Sequence, residues 1–372
     1  MLGVVPKKSA ACVLHRSYAG RRGYQLPLPR KIMLEASSHC QLRCPSCPTT
    51  DGSTQAAIAK GVLRPEAFRR LLGENPWIRE IELANYGEMF LNPWLVEILK
   101  IAQAGGVALT ANTGTNLNHV RPEVLEALVK YKLRAMTCSI DGASPETYVK
   151  YRVGGDFDRV IANIRALNAF KLQYRSPYPA LTWQFIVFGH NEHEIEKARA
   201  LAKSLGMAFW AKLSWDPDFS PVRDETAVGA QTGLGIASRA AFEAKYGRDY
   251  SARICHQLWD SPQLNWDGTM LGCCRNFWGD FGPTVYEHGL RNVLNGEKMR
   301  HAKAMLLGKK GPRDDIPCTT CEIYQGMAAR KNWLRRGPMS RAGLRVVYRA
   351  VDAMTGSRLR RAVDRVRNAM RP

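Results

Sequence analysis

The chain has 372 residues, of which 45% are hydrophobic and 23% are charged, a composition that excludes fibrous and disordered classes. A chain of this length can bury one large core and still carry a smaller appended unit. No window approaches the roughly 20 uninterrupted apolar residues of a membrane span, and the N-terminus lacks a signal-peptide core, so a cytoplasmic location is expected.

Short strand-like and longer helix-like segments alternate over residues 30–215, after an N-terminal arm over residues 1–29. The strand candidates are residues 31–36, 78–84, 107–112, 135–140, 182–188 and 207–213, and the helix candidates are residues 65–72, 93–104, 122–131, 158–170 and 192–205. About six repeats of strand then helix predict parallel βα units, closed as a barrel or open as a doubly wound sheet. In both arrangements ligands bind at the C-terminal ends of the strands.

Cys40, Cys44 and Cys47 form a CxxxCxxC pattern a few residues after the first strand candidate. Three thiolates at this spacing can hold three corners of a cubane iron–sulfur cluster and leave its fourth iron without a protein ligand. A zinc site, with His39 or a distant residue as the fourth ligand, is the alternative. The spacing alone leaves both open.

Four segments that follow in order resemble the radical S-adenosylmethionine (SAM) superfamily. Residues 81–92, IELANYGEMFLN, resemble the strand and Gly-Glu loop that meets the methionyl amino group, with Gly87 and Glu88 at the matching positions. Residues 107–118 resemble the third strand and its Thr-Asn-Gly turn, although the order Asn112-Thr113-Gly114 departs from it. Asn112 is the cofactor-binding candidate there.

The last two segments concern the ribose and the carboxylate of the cofactor. Residues 135–142, AMTCSIDG, resemble the fourth strand, which makes Ser139 and Asp141 candidates for contacts with the ribose and nearby polar atoms. Residues 151–155, YRVGG, match the following turn, which makes Arg152 a candidate for the methionyl carboxylate. Ser46 departs from the aromatic residue often found before the last cysteine, so packing around the adenine can differ.

The resemblance covers residues from about 30 to 325 and implies a partial (β/α)6 barrel over residues 30–215. It implies a SAM-binding 4Fe-4S cluster on Cys40, Cys44 and Cys47, and reductive cleavage of SAM to a 5′-deoxyadenosyl radical that abstracts hydrogen from substrate. It also implies a one-electron reductase, such as flavodoxin or ferredoxin, as a partner. Such a reaction requires the protein to exclude water and stray hydrogen donors.

A second cysteine group comprises Cys255, Cys273, Cys318 and Cys321, which can ligate another cubane cluster or a structural zinc ion. Beside a radical SAM core, the group resembles the SPASM extension or its shortened twitch form over residues 251–325, with one auxiliary 4Fe-4S cluster. Residues 262–274 fit a β-hairpin that turns at Asp267-Gly268, and residues 289–300 fit the helix leading to the last CxxC. The register selects Cys273 as a ligand and leaves the adjacent Cys274 as a packed thiol or a hydrogen-atom donor.

The spacing of the second group also resembles that of an aminocyclitol dehydrogenase of this family, which favours oxidation of a small alcohol or carbohydrate-like substrate. A peptide-modifying or epimerising radical SAM enzyme is the alternative, because the same architecture serves those reactions. The positions of His190, His193, Asp216 and Arg253 make them candidate bases, none of which stands out. A zinc-containing nucleic-acid-binding or partner-binding protein is the competing class, although it leaves the Gly-Glu and Ser-x-Asp-Gly signals unexplained.

The net charge of +21 is concentrated at the C-terminal end, where residues 322–372 contain 13 Lys and Arg against 3 Asp and Glu. Apolar residues recur among the arginines from Gly343 to Met370, which predicts a basic amphipathic helical tail over residues 326–372. Such a tail can contact an anionic membrane peripherally or pack on the barrel, and nucleic acid is not an expected partner. Residues 216–250 are weakly patterned, which predicts a linker or an active-site loop.

Overall fold

The computed structural model describes residues 28–56 and 58–334, which contain a seven-stranded sheet. The strands are β1 (Lys31–Leu34), β2 (Glu80–Glu82), β3 (Ala108–Thr115), β4 (Ala135–Ser139), β5 (Ala180–Val187), β6 (Ala208–Leu213) and β7 (Gln263–Leu264). Every pair of neighbouring strands is parallel, and the order is β6-β5-β4-β3-β2-β1-β7. Because β6 and β7 remain edges, the barrel is open, which confirms the predicted partial barrel.

Helices follow the strands as the alternating pattern predicts. They are α1 (Pro65–Glu74), α2 (Leu95–Ala104), α3 (Pro122–Lys130), α4 (Pro145–Tyr151), α5 (Phe157–Gln173), α6 (Ile195–Ser204), α7 (Glu225–Thr232), α8 (Arg239–Tyr246), α9 (Gln257–Asp260), α10 (Val285–His288), α11 (Leu290–Leu294), α12 (Glu297–Leu306) and α13 (Glu322–Arg330). Helix α4 is absent from the sequence prediction because it has only seven residues. Its start is nevertheless well specified, since Pro145 occupies the first turn and the Ser144 side chain accepts a hydrogen bond from Thr147 N–H.

Alternate strand residues divide the barrel into an apolar outer layer and a polar interior. On β4, Met136 and Cys138 are fully buried in the apolar layer with the helices. Thr137 and Ser139 therefore face the interior, because successive strand side chains point to opposite faces. The same alternation turns Gln184 of β5 inward, since Gln184 is the register partner of Ser139.

The C-terminal part joins the barrel through β7. Leu264 pairs in antiparallel orientation with Met270, and Gly268 adopts a positive φ of 87°, which confirms the predicted hairpin and its turn. Strand β7 also pairs in parallel orientation with β1, where Met33 is the partner of Gln263. The hairpin therefore extends the barrel sheet by a seventh strand.

Two expectations about the second half of the chain are corrected. The single helix expected over residues 289–300 is broken at Asn295-Gly296 into α11 and α12. The weakly patterned segment 216–250 carries α7 and α8, whose first turns are capped by the side chains of Asp224 and Ser238. Both helices have eight residues, which is too short for a clear hydrophobic period to emerge from the sequence.

Residues 1–27 of the predicted N-terminal arm and residues 335–372 of the predicted basic tail lie outside the described residues. Helix α13 ends at Arg330, so it contains only the first five residues of the predicted tail. Among the helices of residues 28–56 and 58–334, none combines the length and the apolar character that crossing a membrane requires.

Candidate functional site

The loop after β1 carries the first cysteine group. Cys44 is buried and Cys40 and Cys47 are half-buried, and all three thiols are free. Cys47 N–H donates a hydrogen bond to the carbonyl of Cys44 at 3.1 Å, and Arg43 N–H donates to the carbonyl of Val153 at 2.9 Å. These bonds fold the loop onto the turn that follows α4.

One guanidinium nitrogen and one amide nitrogen are directed at sulfur atoms of this loop. Arg152 Nη1 lies 3.7 Å from Cys44 Sγ, and Asn116 Nδ2 lies 3.8 Å from Cys40 Sγ. Burial, followed by the charge of Glu88, raises the pKa of the Cys40 thiol to about 12. An unmetallated thiol here is therefore protonated, and a bound cation would be needed to hold it as a thiolate.

The donor set of this loop fits a cluster with sulfur ligands. Three free thiols with N–H donors directed at two of them suit a 4Fe-4S cluster, whose properties depend on hydrogen bonds to its sulfurs. Cys40, Cys44 and Cys47 would hold it.

Arg152 is held in place by Asp141, which follows β4. The guanidinium Nε and Nη2 both lie 2.6 Å from Asp141 Oδ2, while Asp141 Oδ1 accepts from Ile186 N–H at 2.6 Å. Asp141 is fully buried and the Arg152 side chain is 13% exposed. Burial alone would lower the pKa of Arg152, but the charge of Asp141 reverses the shift and raises the pKa well above its usual value. Arg152 is therefore a fixed cation beside Cys44.

The loop after β2 brings Gly87 and Glu88 against the backbone of the cysteine loop. Glu88 N–H donates to the carbonyl of His39 at 2.7 Å, and the buried carboxyl of Glu35 accepts from the N–H groups of Tyr86 and Gly87 at 3.0 and 3.1 Å. Burial raises the pKa of both Glu35 and Glu88 to about 7. Glu35 is a positioning residue that the sequence analysis did not identify.

Gly87 occupies a position where no side chain fits. A Cβ atom at Gly87 would lie 2.0 Å from the carbonyl oxygen of Ser37 and 2.7 Å from that of His39. We expect Gly87→Ala to push the two loops apart and to lower iron incorporation and the thermal midpoint, with a destabilisation of about 1–3 kcal/mol. The matched control is Gly73→Ala in α1, where nothing lies within 4 Å of the added Cβ. If Gly87→Ala took up iron as well as Gly73→Ala, the close approach of the loops would not be needed.

The structure places Asn112 away from the cysteine loop and brings Asn116 to it. The N–H of Asn112 donates to the buried carboxylate of Glu82, while Asn112 itself is exposed. Asn116 N–H instead donates to Glu88 Oε2 at 2.6 Å, and Asn116 Oδ1 accepts from Gln41 Nε2 at 2.8 Å. Asn116 therefore replaces Asn112 as the candidate residue of this segment.

The signal for Asn116 was present in the sequence. Thr115-Asn116-Leu117 has the first two residues of the Thr-Asn-Gly turn, and Leu117 adopts the positive φ of 56° that normally favours glycine.

Ser139 lies on the interior face, where its hydroxyl accepts from Gln184 Nε2 at 3.3 Å. Gly87, Glu88, Ser139 and Asp141 thus lie at the ends of β2 and β4 or in the loops that follow them, and Arg152 lies directly after α4.

The second cysteine group lines one cavity. Cys255, Cys273, Cys318 and Cys321 contribute to its wall together with apolar side chains that include Leu258, Phe281 and Leu306. Burial raises the pKa of the Cys255 thiol, and the other three thiols raise it further. Four thiols around an apolar cavity match the ligand number of an auxiliary 4Fe-4S cluster.

Cys274 differs from its neighbour in its surroundings. It is not among the residues that line this cavity. Its N–H donates to Gln257 Oε1 at 2.7 Å, and the charge of Lys212 acts on its thiol. The two adjacent cysteines therefore belong to different environments.

The four candidate bases, His190, His193, Asp216 and Arg253, lie at four different places in the structure. His190 stacks on Phe188 and its Nδ1 lies 2.9 Å from Ser220 Oγ, and burial lowers its pKa to about 4. Asp216 accepts a hydrogen bond from Ser46 Oγ at 2.5 Å, which lowers its pKa and ties the cysteine loop to the segment after β6. His193 lies in the turn before α6, and Arg253 lies two residues before Cys255.

Comparison with known proteins finds a curated protein of similar sequence and solved structures of similar fold. The chain is 29% identical over 180 residues to the AdoMet-dependent heme synthase of Methanosarcina barkeri, a match that covers 48% of each protein. The chain thus spans about half the length of this curated relative. Among solved structures it is similar in fold to Streptococcus suis SuiB bound to S-adenosylmethionine, with a TM-score of 0.58 and 13% identity over 80% of this chain and 72% of that one. SuiB bound to precursor peptide SuiA gives a TM-score of 0.57 and 12% identity over 80% and 70%.

A family model also matches the region that carries the first cysteine group. It is described as the Radical SAM superfamily, and its match extends over residues 34–202. These residues begin at the end of β1 and continue through most of α6, so they include the cysteine loop, Glu88, Asn116, Asp141 and Arg152. Residues 34–202 of this chain therefore match the radical SAM superfamily.

Proposed function

We propose that this radical SAM enzyme oxidises a small alcohol or carbohydrate-like substrate. The observation that carries the proposal is the convergence, inside the radical SAM domain, of three free thiols with the fixed guanidinium of Arg152, 3.7 Å from Cys44 Sγ. When bound, the first cluster supplies one electron to S-adenosylmethionine, whose cleavage yields methionine and a 5′-deoxyadenosyl radical that removes hydrogen from substrate.

The residues of the chain have separate roles in this proposal. Arg152 binds the methionyl carboxylate, and Asp141 orients Arg152 through its carboxylate. Glu88 and Asn116 lie beside Cys40 and present polar groups to the methionyl amino end. Ser139 is a candidate for the ribose. The polar interior of the barrel receives the substrate and excludes water when the cofactor is in place.

The second cysteine group is proposed to hold an auxiliary 4Fe-4S cluster in a twitch-like extension. Its chemistry, when bound, is to accept the second electron of the oxidation. We expect Cys273→Ala to lower the iron content from about eight to about four atoms per chain, because each cubane cluster contains four irons. Cys274→Ala is the matched control and keeps all the iron, since Cys274 contacts Gln257 rather than the cavity. The reverse pattern would assign the ligand to Cys274.

The experiment that tests the function is anaerobic reconstitution of the full-length protein, followed by iron and sulfide analysis and an assay for 5′-deoxyadenosine. A one-electron donor such as flavodoxin or ferredoxin is supplied as the reductase. The expected result is two clusters, cleavage of SAM, and a carbonyl product from a panel of polyols. Stoichiometric zinc without cleavage would refute the proposal, whereas an epimerised or peptide-derived product would place the enzyme in another reaction class.

A second candidate is the synthesis of heme, suggested by the 29% identity to the Methanosarcina barkeri protein of that name. It is tested in the same reconstituted system by supplying tetrapyrrole precursors. Formation of heme, measured by its absorbance, with no oxidation of polyols would favour this candidate.

A further inference from the structure

Lys212 lies on the interior face of β6, near the C-terminal end of the strand. Its neighbours Ala211 and Leu213 are buried on the opposite face, and its register partner on β5 is Ile186. Gln184 and Trp210 are register partners one step earlier on the same two strands. Lys212, Gln184 and Trp210 therefore share the interior face, because strand side chains alternate.

Lys212 is within electrostatic range of residues near both cysteine groups. The charges of Asp141 and Arg152, which hold the first site, both act on its ammonium group. The thiol of Cys274, which follows the second-group residue Cys273, acts on it as well. Lys212 is therefore close enough to both regions for its charge to act on a group bound beside them.

The positive charge of Lys212 is not neutralised by a carboxylate. Within residues 28–56 and 58–334, Lys212 forms no ion pair, and the carboxylate that acts on it, Asp141, is already bound to Arg152. Its Nζ lies 5.5 Å from the ring centre of Trp210 and 5.7 Å from that of Trp215, contacts that stabilise a cation without neutralising it. Burial, followed by the charge of Arg239, lowers the pKa of Lys212 to about 8.

Arg239 of α8 adds a second cation next to Lys212. Its Nη1 donates to Ser251 Oγ at 3.0 Å and its guanidinium lies 4.8 Å from the ring centre of Tyr250. No ion pair to Arg239 occurs in the described part of the chain either. The charge of Arg239 destabilises the Lys212 cation, whereas the charge of Asp249 compensates Arg239 in part, so Lys212 is the costly cation in the absence of an anion. We name Lys212, Arg239, Trp210 and Gln184 the Lys212 pocket.

Buried polar atoms without hydrogen-bond partners indicate a second kind of contact. Gln184 is 3% exposed and its Oε1 has no hydrogen-bond partner, although its Nε2 is bound to Ser139. Asn265, which follows β7, is fully buried with both Oδ1 and Nδ2 unpartnered. Buried amide groups without partners are unfavourable unless a ligand or water completes them. Hydroxyl groups are suitable partners for both.

We infer that the Lys212 pocket binds an anionic group, a carboxylate or a phosphate, of a hydroxylated substrate. The inference rests on the proposed function, because it assumes that the substrate occupies the barrel interior. Lys212 and Arg239 bind the anion, and the amides of Gln184 and Asn265 bind hydroxyl groups. The pocket thereby selects acidic or phosphorylated carbohydrates over neutral ones.

The test measures binding rather than turnover, on the full-length reconstituted protein at constant ionic strength. The probes are radiolabelled sulfate, which has the shape of a phosphate and a fixed charge, and succinate, which carries carboxylates. We expect equilibrium dialysis to show one bound anion per chain and Lys212→Met to weaken its binding about tenfold or more, as for a lost charge-assisted hydrogen bond. Lys212→Arg keeps the binding. The preferred probe shows whether the group is phosphate-like or a carboxylate.

Three results would overturn the inference. In the first, neither anion binds at 10 mM, a concentration that corresponds to a binding free energy of about 3 kcal/mol. In the second, Lys212→Met binds the anion as tightly as the wild type does. In the third, S-adenosylmethionine displaces the anion. The last result would assign Lys212 to the cofactor. Formation of 5′-deoxyadenosine is measured on the same preparation, so cleavage without anion binding refutes this inference and leaves the proposed function intact.

The anion affinity of the wild-type protein, measured as a function of pH, tests the inference without relying on the folding of a variant. Binding requires protonated Lys212, so the affinity should fall as the pH rises through about 8. The groups that face Lys212 are Arg239, Arg152, Asp141 and Cys274, and the two arginines stay charged in this range. Cys274→Ala must show the same pH dependence. An affinity that stays constant from pH 7 to 9 would overturn the inference.

Discussion

Cys44→Ala is expected to abolish the cleavage of S-adenosylmethionine and to lower the iron content from about eight to about four atoms per chain. Cys44 is the buried member of the first cysteine group, and the guanidinium of Arg152 is directed at its sulfur. Without this thiol the loop has two sulfur ligands left, which is too few to hold a cubane cluster in place. The measurements are iron and sulfide analysis and the yield of 5′-deoxyadenosine after reduction.

The control for Cys44→Ala is Cys138→Ala on β4. Cys138 is also buried, but it lies in the apolar layer that faces the helices. We expect this variant to keep all the iron and most of the activity, with only the modest loss of stability that follows removal of a small buried group. Equal loss of iron in both variants would indicate general misfolding and would contradict the assignment of Cys44.

Arg152→Met is expected to destabilise the protein by about 3–5 kcal/mol, because it leaves the fully buried Asp141 carboxylate without its cation. The same variant should bind S-adenosylmethionine about 10–100-fold more weakly, since a hydrogen bond to a charged group contributes about 1.5–3 kcal/mol. Thermal midpoints and equilibrium binding of the cofactor are the two measurements.

The double variant Arg152→Met, Asp141→Asn separates these two effects. Replacing the carboxylate with an amide removes the uncompensated charge and preserves an acceptor for Ile186 N–H. Stability should therefore recover in part, whereas cofactor affinity should stay low. Recovery of both would show that Arg152 acts only through folding, and recovery of neither would show that the ion pair with Asp141 is unimportant.

The elements of the barrel could be predicted because they depend on local patterns. Strands β1 to β6 occur within a few residues of the predicted segments, since each is a short apolar run that ends before a turn. Helices α1 and α3 start at Pro65 and Pro122, as expected for proline in a first helical turn. Shorter elements, such as α7 and α8, carry too few residues for a period to be visible.

The choice of Asn112 rather than Asn116 from the sequence has a specific physical origin. By sequence, the Thr-Asn-Gly turn matches Asn112-Thr113-Gly114, which contains the glycine of the segment. Gly114 has a positive φ of 132°, but Leu117 adopts a positive φ of 56° as well, and because it is fully buried its packing offsets the strain. A rare backbone state on a leucine cannot be read from residue type.

What the amino-acid sequence by itself determined was the chemistry that is available: two groups of thiols, an acidic Gly-Glu loop, and strands whose alternation makes one face polar. What only the tertiary structure decided was which groups meet. Arg152 contacts a sulfur 108 positions earlier in the chain, Cys273 and Cys274 enter different environments, and the charges of Arg152 and Cys274 both act on Lys212. These contacts join residues that are far apart in sequence, and they follow from the order and register of parallel strands, which depend on the packing of the whole barrel.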